Sequence, residues 1–536
     1  MAPSPVPDAA SVLTFDSTLR DGAQGENIAF SLQDKLNIVR ALDDFGLDFI
    51  EAGIPGANPK DLQFFRQAAR EPLHHATLCA FGSTRRRGDT AANDRQLQQL
   101  LDADTPAVAI FGKSWLLHVT HILKATPTEN LDMIAESVQL LASHGRQVIY
   151  DAEHFFDGYA DNPDYALQSL QAALDAGAFS ITLCDTNGGT TPTDVKRITE
   201  AVVTRFPNAL VGIHCHNDIG CAVANAMLAV EAGARLVQGT FSGYGERCGN
   251  TDLSVLIPNL ILKKRRTCSI PDLSRLSSTA TQLAELSNIA IPAGKPYVGK
   301  SAFAHKGGMH IDGVTKVAAS FEHIPPETIG NHRRFLMSEV SGRSTLLEKM
   351  KHFAAHDGHT ADLTKDSPET RLIIDRLKEM ECNGYQFEAA DASLELLVRR
   401  TLGWHRPHFS LILYKTIGEF PSPNGREQSS AMIQVDVGGT AESTAALGDG
   451  PVHALDTALR KALHVFYPQL AAVQLIDYKV RVIDTGAATA AKVRVLIEST
   501  DGAHSWTTVG VSTDIIEASW LALQDSIEYK LDVLDD

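Results

Sequence analysis

Residues Ala172–Cys184 read AALDAGAFSITLC. A helix-like stretch of small residues stops at Gly177 and passes straight into a short β-rich apolar run, Phe179–Cys184. Glycine adopts the left-handed conformation that ends a helix without steric cost, so the pattern reads as a helix stop followed by a strand. AVEAGA, ahead of Arg235, repeats the stop before a second run at Leu236–Thr240. Working outward, similar runs recur at Val12–Asp16, Asp48–Gly53, Ala76–Phe81, Ala107–Phe111, Gln147–Asp151 and Leu210–His214, eight in all. Segments with helical periodicity separate them, among them Leu32–Phe45 and Leu131–Ser143. Strands that alternate with helices lie parallel and are joined by crossovers, and eight such units close into a (β/α)8 TIM barrel. A doubly wound open sheet is the alternative, but it usually has fewer repeats.

The barrel pattern runs out near Lys264. Residues 270–400 read mostly helical, with a loop-rich segment at 293–345. Beyond about 405 the strands Ser410–Thr416, Ala431–Val437, Tyr478–Ile483 and Lys492–Glu498 are expected, with helices at Pro451–Val465 and Ile515–Leu531. GTAESTAALGDG, before the first of these helices, reads as a loop. Two strand–strand–helix halves suggest an internal duplication. The expected organisation is an α/β chain: a catalytic TIM barrel at 1–268, helical linker subdomains contributing to the active site at 269–400, and a C-terminal α+β regulatory domain at 401–536.

A net charge of −17 argues against nucleic acid as a partner, since phosphate binding needs clustered Lys and Arg. Arg85, Arg86 and Arg87 form one local basic patch that can serve a phosphate-bearing small ligand or be a solvated loop. Seven scattered cysteines without a CxxC pair suit a reducing compartment. MAPSPVPDAA has neither the charged nor the apolar region of a signal peptide. No uncharged apolar run approaches the roughly 18 residues that span a bilayer. The expectation is a cytoplasmic protein with no membrane contact.

Active sites of TIM barrels lie at the C-terminal ends of the strands. There this chain carries DSTLRDGAQGE, YDAEHFF, CDTNGG, HCHND and TFSGYGERCGN, all dense in functional groups. His214 and His216 are two residues apart, so on a strand both imidazoles face the same side. Asp21 adds a carboxylate, and two histidines with one carboxylate leave coordination positions open on a divalent cation. The alternative is a pair of hydrogen-bonded histidines at a strand end.

DSTLRDGAQ, DTNGG, GIHCHNDIGCAVAN and GYGERCGN resemble the signature regions of the 2-isopropylmalate, homocitrate and citramalate synthase family. FAHKGGMHIDG and IGNHRRFLMSEVSGRS extend the resemblance past the barrel, and GDGPVHALDTAL carries it into the tail, so nearly the whole chain is covered. DGAQGE, IFGKSW, YDAEHFFDGY and NGYQFEAADAS resemble most closely the citramalate branch. The resemblance implies a condensation of acetyl-CoA with a small α-keto acid, pyruvate first and 2-oxoisovalerate as the alternative, followed by thioester hydrolysis. It implies a divalent metal, Mn²⁺ or Mg²⁺ with Zn²⁺ or Co²⁺ as further options, held by Asp21, His214 and His216, with Asn250 near the metal. Arg20 would bind substrate and face developing negative charge. Glu153 and Thr186 would contact the keto acid, Glu153 with a catalytic role. His310, in GGMH, matches the family's general base, and His305 is the rival. That segment reaches the partner's site in the family, which implies a homodimer with shared active sites. The tail implies feedback by isoleucine or leucine. Gly243, Gly245 and Gly249 form a loop whose N–H groups can meet CoA phosphates. Relatives often have tyrosine where this chain has Phe321.

Other readings share the barrel. A 3-hydroxy-3-methylglutaryl-CoA lyase would carry a Gly-Gly-Cys-Pro loop, absent here, with Cys248 nearby in GYGERCGN. A biotin-dependent carboxyltransferase would need a reactive lysine where Thr186 and Asn187 stand. An amino-acid-binding regulatory protein with an inactive barrel would not need the intact set Arg20, Asp21, His214, His216 and Asn250.

Overall fold

The computed structural model describes residues 11–57, 59–70, 72–336, 350, 353, 367–418, 429–483 and 491–534. The amino-terminal MAPSPVPDAA and the MSEVSGRS part of the segment noted above lie outside these residues. The described chain falls into two compact units, residues 1–303 with 324–333, and residues 304–323 with 334–536.

The first unit is a closed barrel of eight parallel strands in chain order. They are β1 (Leu13–Asp16), β2 (Phe49–Glu51), β3 (Thr77–Ser83), β4 (Ala107–Lys113), β5 (Gln147–Glu153), β6 (Ser180–Asp185), β7 (Val211–Cys215) and β8 (Leu236–Gly239). Closure comes from β1 pairing with β8, with Leu13 opposite Leu236 through Asp16 opposite Gly239. Phe15, Phe49, Cys79, Ala107, Ile149 and Leu236 form an apolar plug in the barrel interior, which leaves the carboxyl ends of the strands for polar groups.

Local chemistry sets the helices. Leu32–Phe45 matches the expected bounds: Ser31 and Asp34 make a capping box at its start, and Gly46, at φ 101°, ends it. A Cβ at Gly46 would lie 2.4 Å from Pro271 Cδ, so this stop admits glycine only. The glycine stops read from AALDAGA and AVEAGA are both present, with Gly177 at φ 96° and Gly233 at φ 109°.

The second unit contains a short parallel pair, β9 (Ala304–His305) with β10 (Arg334–Phe335), and two antiparallel three-stranded sheets. These are β11 (Ser410–Gly418), β12 (Ser429–Val437) and β13 (Thr440–Gly448), then β14 (Gln474–Val482), β15 (Val493–Thr500) and β16 (Ser505–Ser512). Helices Pro451–Leu463 and Ile515–Tyr529 follow the two sheets. Ile433, Val435, Val495 and Ile497 share one buried core with Leu455, Leu459, Leu523 and Ile527.

The loop expected at GTAESTAALGDG is instead strand β13, paired with β12 along its whole length. Its Ala, Ser and Thr side chains are mostly exposed, which gave it a loop-like composition. The missed signal was Gly438-Gly439, both at positive φ, a two-residue hairpin turn. β16 was likewise not anticipated. With both strands in place, the halves match at a 64-residue offset. The register slips between Leu411 and Leu413 and again between Leu475 and Asp477. Thr444 Oγ1 donates to the Ala458 carbonyl and Thr508 Oγ1 to the Ala522 carbonyl, each at 2.7 Å.

Candidate active site

β7 presents His214, and His216 follows just past its end. Their ring centroids are 5.2 Å apart. Asp21, after β1, brings Oδ2 to 3.5 Å from His214 Nε2 and 3.9 Å from His216 Nε2. The three buried side chains offer ligand atoms within 4.8 Å of one another, a metal-binding arrangement found only here among the described residues. Burial lowers the pKa of both imidazoles, His214 to about 4, so their ligating lone pairs are free at neutral pH. Burial raises the Asp21 carboxyl, but Arg20 and the two histidines outweigh it and hold it below the usual range. Asn250 lies beside Asp21, donates Nδ2 to the Tyr244 carbonyl at 3.1 Å, and has a buried Oδ1 without a partner. A carboxylate, two neutral imidazoles and an orphaned amide oxygen are a donor set that fits a divalent cation.

Arg20 sits against this group. Its Nε donates to Glu51 Oε2 at 2.6 Å, Nη1 is 3.3 Å from Asp21, and the guanidinium lies 3.7 Å over the Phe81 ring. A planar guanidinium held on three sides keeps its orientation when substrate arrives. Glu153 pairs with Lys113. Thr186 Oγ1 accepts the His154 N–H at 2.9 Å, which leaves the hydroxyl hydrogen available to a substrate carboxylate. Arg20, Asp21, Glu153, Thr186, His214 and His216 line one cavity of about 280 Å³, together with Phe81, Phe111, Asp151 and Cys184.

His310 is not in this unit. It lies on the helix Gly308–Lys316 of the second unit, exposed and stacked on Phe321 at 4.3 Å. His305, of the same unit, is buried, with Nε2 3.1 Å from Glu322. The basic patch is partly spent in ion pairs: Arg85 is buried against Glu136, and Arg87 meets Glu129. Gly243 and Gly249 donate their N–H groups to the Thr240 and Glu246 carbonyls inside their own loop, so these two are not free to meet phosphates.

Sequence reasoning missed Glu51, Lys113, Asp151 and Gln238. Each is a polar residue in the last few positions of a mostly apolar strand, which periodicity reads as noise. Their strand-end positions were the available signal. Burial raises the Asp16 and Asp151 carboxyls to about 7, and raises Glu51 as well.

Residues 11–289 match the HMGL-like family model, 297–380 the homocitrate synthase post-HMGL domain-like model, and 388–531 the LeuA allosteric (dimerisation) domain model. An (R)-citramalate synthase of Aquifex aeolicus is 52% identical over 98% of both chains. One from Synechocystis is 49% identical over 98% of this chain and 97% of its own. The chain belongs to the (R)-citramalate synthase family. A 2-isopropylmalate synthase of Heliobacterium modesticaldum stands further off, 31% identical over 96% of each chain. Membership accounts for the full set of chemical groups in the cavity and sets aside the inactive-barrel reading. The chain is therefore an enzyme of the transferase class to which this family belongs. No helix among the described residues is long and apolar enough to cross a membrane.

Metal binding tests the triad. Calorimetric titration with Mn²⁺ should show binding by the wild type. Asp21→Asn, His214→Ala and His216→Ala should each weaken it by more than about 100-fold, since loss of a mere outer-shell partner already costs about 10–100-fold. A lowered histidine pKa keeps the neutral, ligating form as pH falls. Affinity should therefore change little between about pH 8 and about pH 6, where ordinary imidazoles begin to protonate. Undiminished binding in all three variants would remove the site.

Proposed function

We propose that the enzyme condenses acetyl-CoA with pyruvate and hydrolyses the resulting thioester, giving (R)-citramalate and CoA. The observation that carries this reading is the near full-length likeness to five (R)-citramalate synthases, at 43–52% identity. The intact cavity supports it.

Asp21, His214 and His216 would hold a divalent metal, with Asn250 beside them. When bound, the metal supplies Lewis-acid polarisation of the substrate's keto and carboxylate oxygens. The chain's own residues do the rest. Arg20, fixed by Glu51 and Phe81, offers a positive charge where the attacked ketone becomes an alkoxide. Thr186 donates its hydroxyl to the keto-acid carboxylate. Glu153, paired with Lys113, orients the acceptor. His310 takes a methyl proton from acetyl-CoA, the enolate carbon attacks the ketone, and water then releases CoA. Exposed Met309, Val317 and Phe321 around His310 support a segment that is covered in the assembled enzyme, as in a homodimer with shared sites. The LeuA allosteric (dimerisation) match supports feedback by isoleucine, the amino acid that citramalate leads toward, bound at the C-terminal domain. Seven free cysteines support a reducing cytoplasm.

A thiol reagent that reads CoA release from acetyl-CoA tests the reaction. Pyruvate should drive release at least tenfold faster than 2-oxoisovalerate, and neither acetyl-CoA alone nor chelated enzyme should turn over. Extra methyl groups in a fitted pocket typically change selectivity by about 10–200-fold. Equal or better use of 2-oxoisovalerate sinks the pyruvate assignment.

His310→Ala should lower kcat by about 10²–10⁴-fold, the usual contribution of a general base, while Mn²⁺ affinity stays near wild type. A near-normal His310→Ala beside an inactive His305→Ala would transfer the role to His305.

Isoleucine should inhibit the full-length enzyme, and leucine at the same concentration should not. Couplings of this kind change apparent affinity by about 5–150-fold. Inhibition by leucine alone would reassign the effector.

A further inference from the structure

Beneath the metal triad, a glutamine stands between a ligand histidine and a carboxylate. Gln238 belongs to β8 and is wholly buried. Its Oε1 is 3.0 Å from His214 Nδ1. Its Nε2 donates to Asp151 Oδ1 at 2.8 Å and to Thr182 Oγ1 at 3.2 Å. Both amide hydrogens and the amide oxygen are thus engaged, so with Asp151 ionised the side chain has one comfortable orientation. The flipped amide would need a protonated Asp151 and would donate to His214 Nδ1. It would move the imidazole hydrogen to Nε2, the atom that faces Asp21 at 3.5 Å. An N–H there cannot bind a metal.

We propose that Asp151, Gln238 and His214 form an orienting relay, in which the Gln238 amide carries the pull of the Asp151 carboxylate to the metal-ligand imidazole. This rests on the metal reading above. A ligand histidine ordinarily gives its second N–H to a carboxylate, a carbonyl or water, which sets the tautomer and ring angle. Here an amide fills that position and is itself backed by a carboxylate. A carboxylate that accepts from an amide N–H raises electron density on the amide oxygen, and linked hydrogen bonds strengthen one another. The relay has two effects. It fixes His214 with Nε2 bare. With Asp151 ionised, it also keeps the formal charge one residue away from the imidazole, at Asp151, which is part of the cavity wall. Gln238 touches neither substrate nor metal in this account, so it is a positioning residue.

A charge-swap series in the full-length enzyme tests the relay. Gln238→Leu removes it and should weaken Mn²⁺ by about 10–100-fold in calorimetry, the range for an outer-shell partner. Gln238→Glu alone sets two carboxyl groups against each other and should also weaken binding. The double variant Asp151→Asn/Gln238→Glu restores a donor–acceptor chain with the charge moved inward, and should recover affinity to within a few-fold of wild type. A residue that only fills space would not be rescued by its neighbour's change. The second readout needs no metal: ¹⁵N spectra of histidine-labelled protein, with His214 assigned from His214→Ala. They should show His214 protonated at Nδ1 in the wild type and lose that signature in Gln238→Leu. Wild-type affinity in Gln238→Leu, a double variant no better than its worse parent, or an Nε2-protonated His214 would overturn the relay. A wild type that binds no Mn²⁺ yet keeps Nδ1 protonation would sink the metal reading and leave the relay standing.

Discussion

The seam of the barrel depends on one buried carboxylate. Asp16 ends β1 and accepts the Phe241 N–H at 2.9 Å, just past β8, along with the Thr18 N–H and hydroxyl, each at 2.9 Å. The first of these bonds joins chain segments 225 residues apart. Once the seam is closed, the turn after β1 has a fixed exit, and Asp21 falls beside the imidazoles delivered by β7. Burying Asp16 is costly, which its raised pKa of about 7 reflects. Three hydrogen bonds offset that cost. The carboxylate is thus a structural fastener whose position decides where a chemical group five residues later can sit.

The floor of the cavity concentrates acid. Asp151 lines it, Asp16 and Glu51 lie buried close by, and burial raises all three carboxyls. Arg20 pairs at short range with one of them, Glu51, and with the neighbouring Asp21. Low local dielectric makes each charge matter more than it would in water. A site with a surplus of carboxyl groups and neutral imidazoles is one that a dication would relieve. Arg20 is held by the Phe81 face as well as by acids, so its place in the group does not rest on ion pairing alone.

Much of this was legible in the residues. The eight runs, the glycine stops and the HxH spacing all describe backbone geometry that local sequence controls, and all are present. Asp21, His214 and His216 were singled out by the HxH spacing and the Arg20-Asp21 pair, and the fold brings them together as a candidate metal site. Gln238 and Asp151 were not, because a buried polar residue in a strand acquires meaning only from the neighbours that closure brings. The strand at Thr440–Gly448 was lost to its own composition, since small exposed residues resemble a linker until the two-glycine turn before them is weighed. His310 illustrates a different limit. The GGMH motif singles it out, but on its helix it stands exposed and stacked on Phe321, and the role proposed for it would need a partner chain.

LILYK at 411–415 and LIDYK at 475–479 open the two halves of the C-terminal domain with nearly the same words. Ala454 and Ala518, Ala458 and Ala522, and Leu459 and Leu523 repeat at the same offset in the two helices, all of them buried in the shared core. The domain is therefore built as a tandem repeat of one strand–strand–strand–helix pattern. Each half covers the other's apolar face in that shared core, so neither helix–sheet layer has to find a partner outside the domain. Outside the core the halves need not match, as His453 against Glu517 shows.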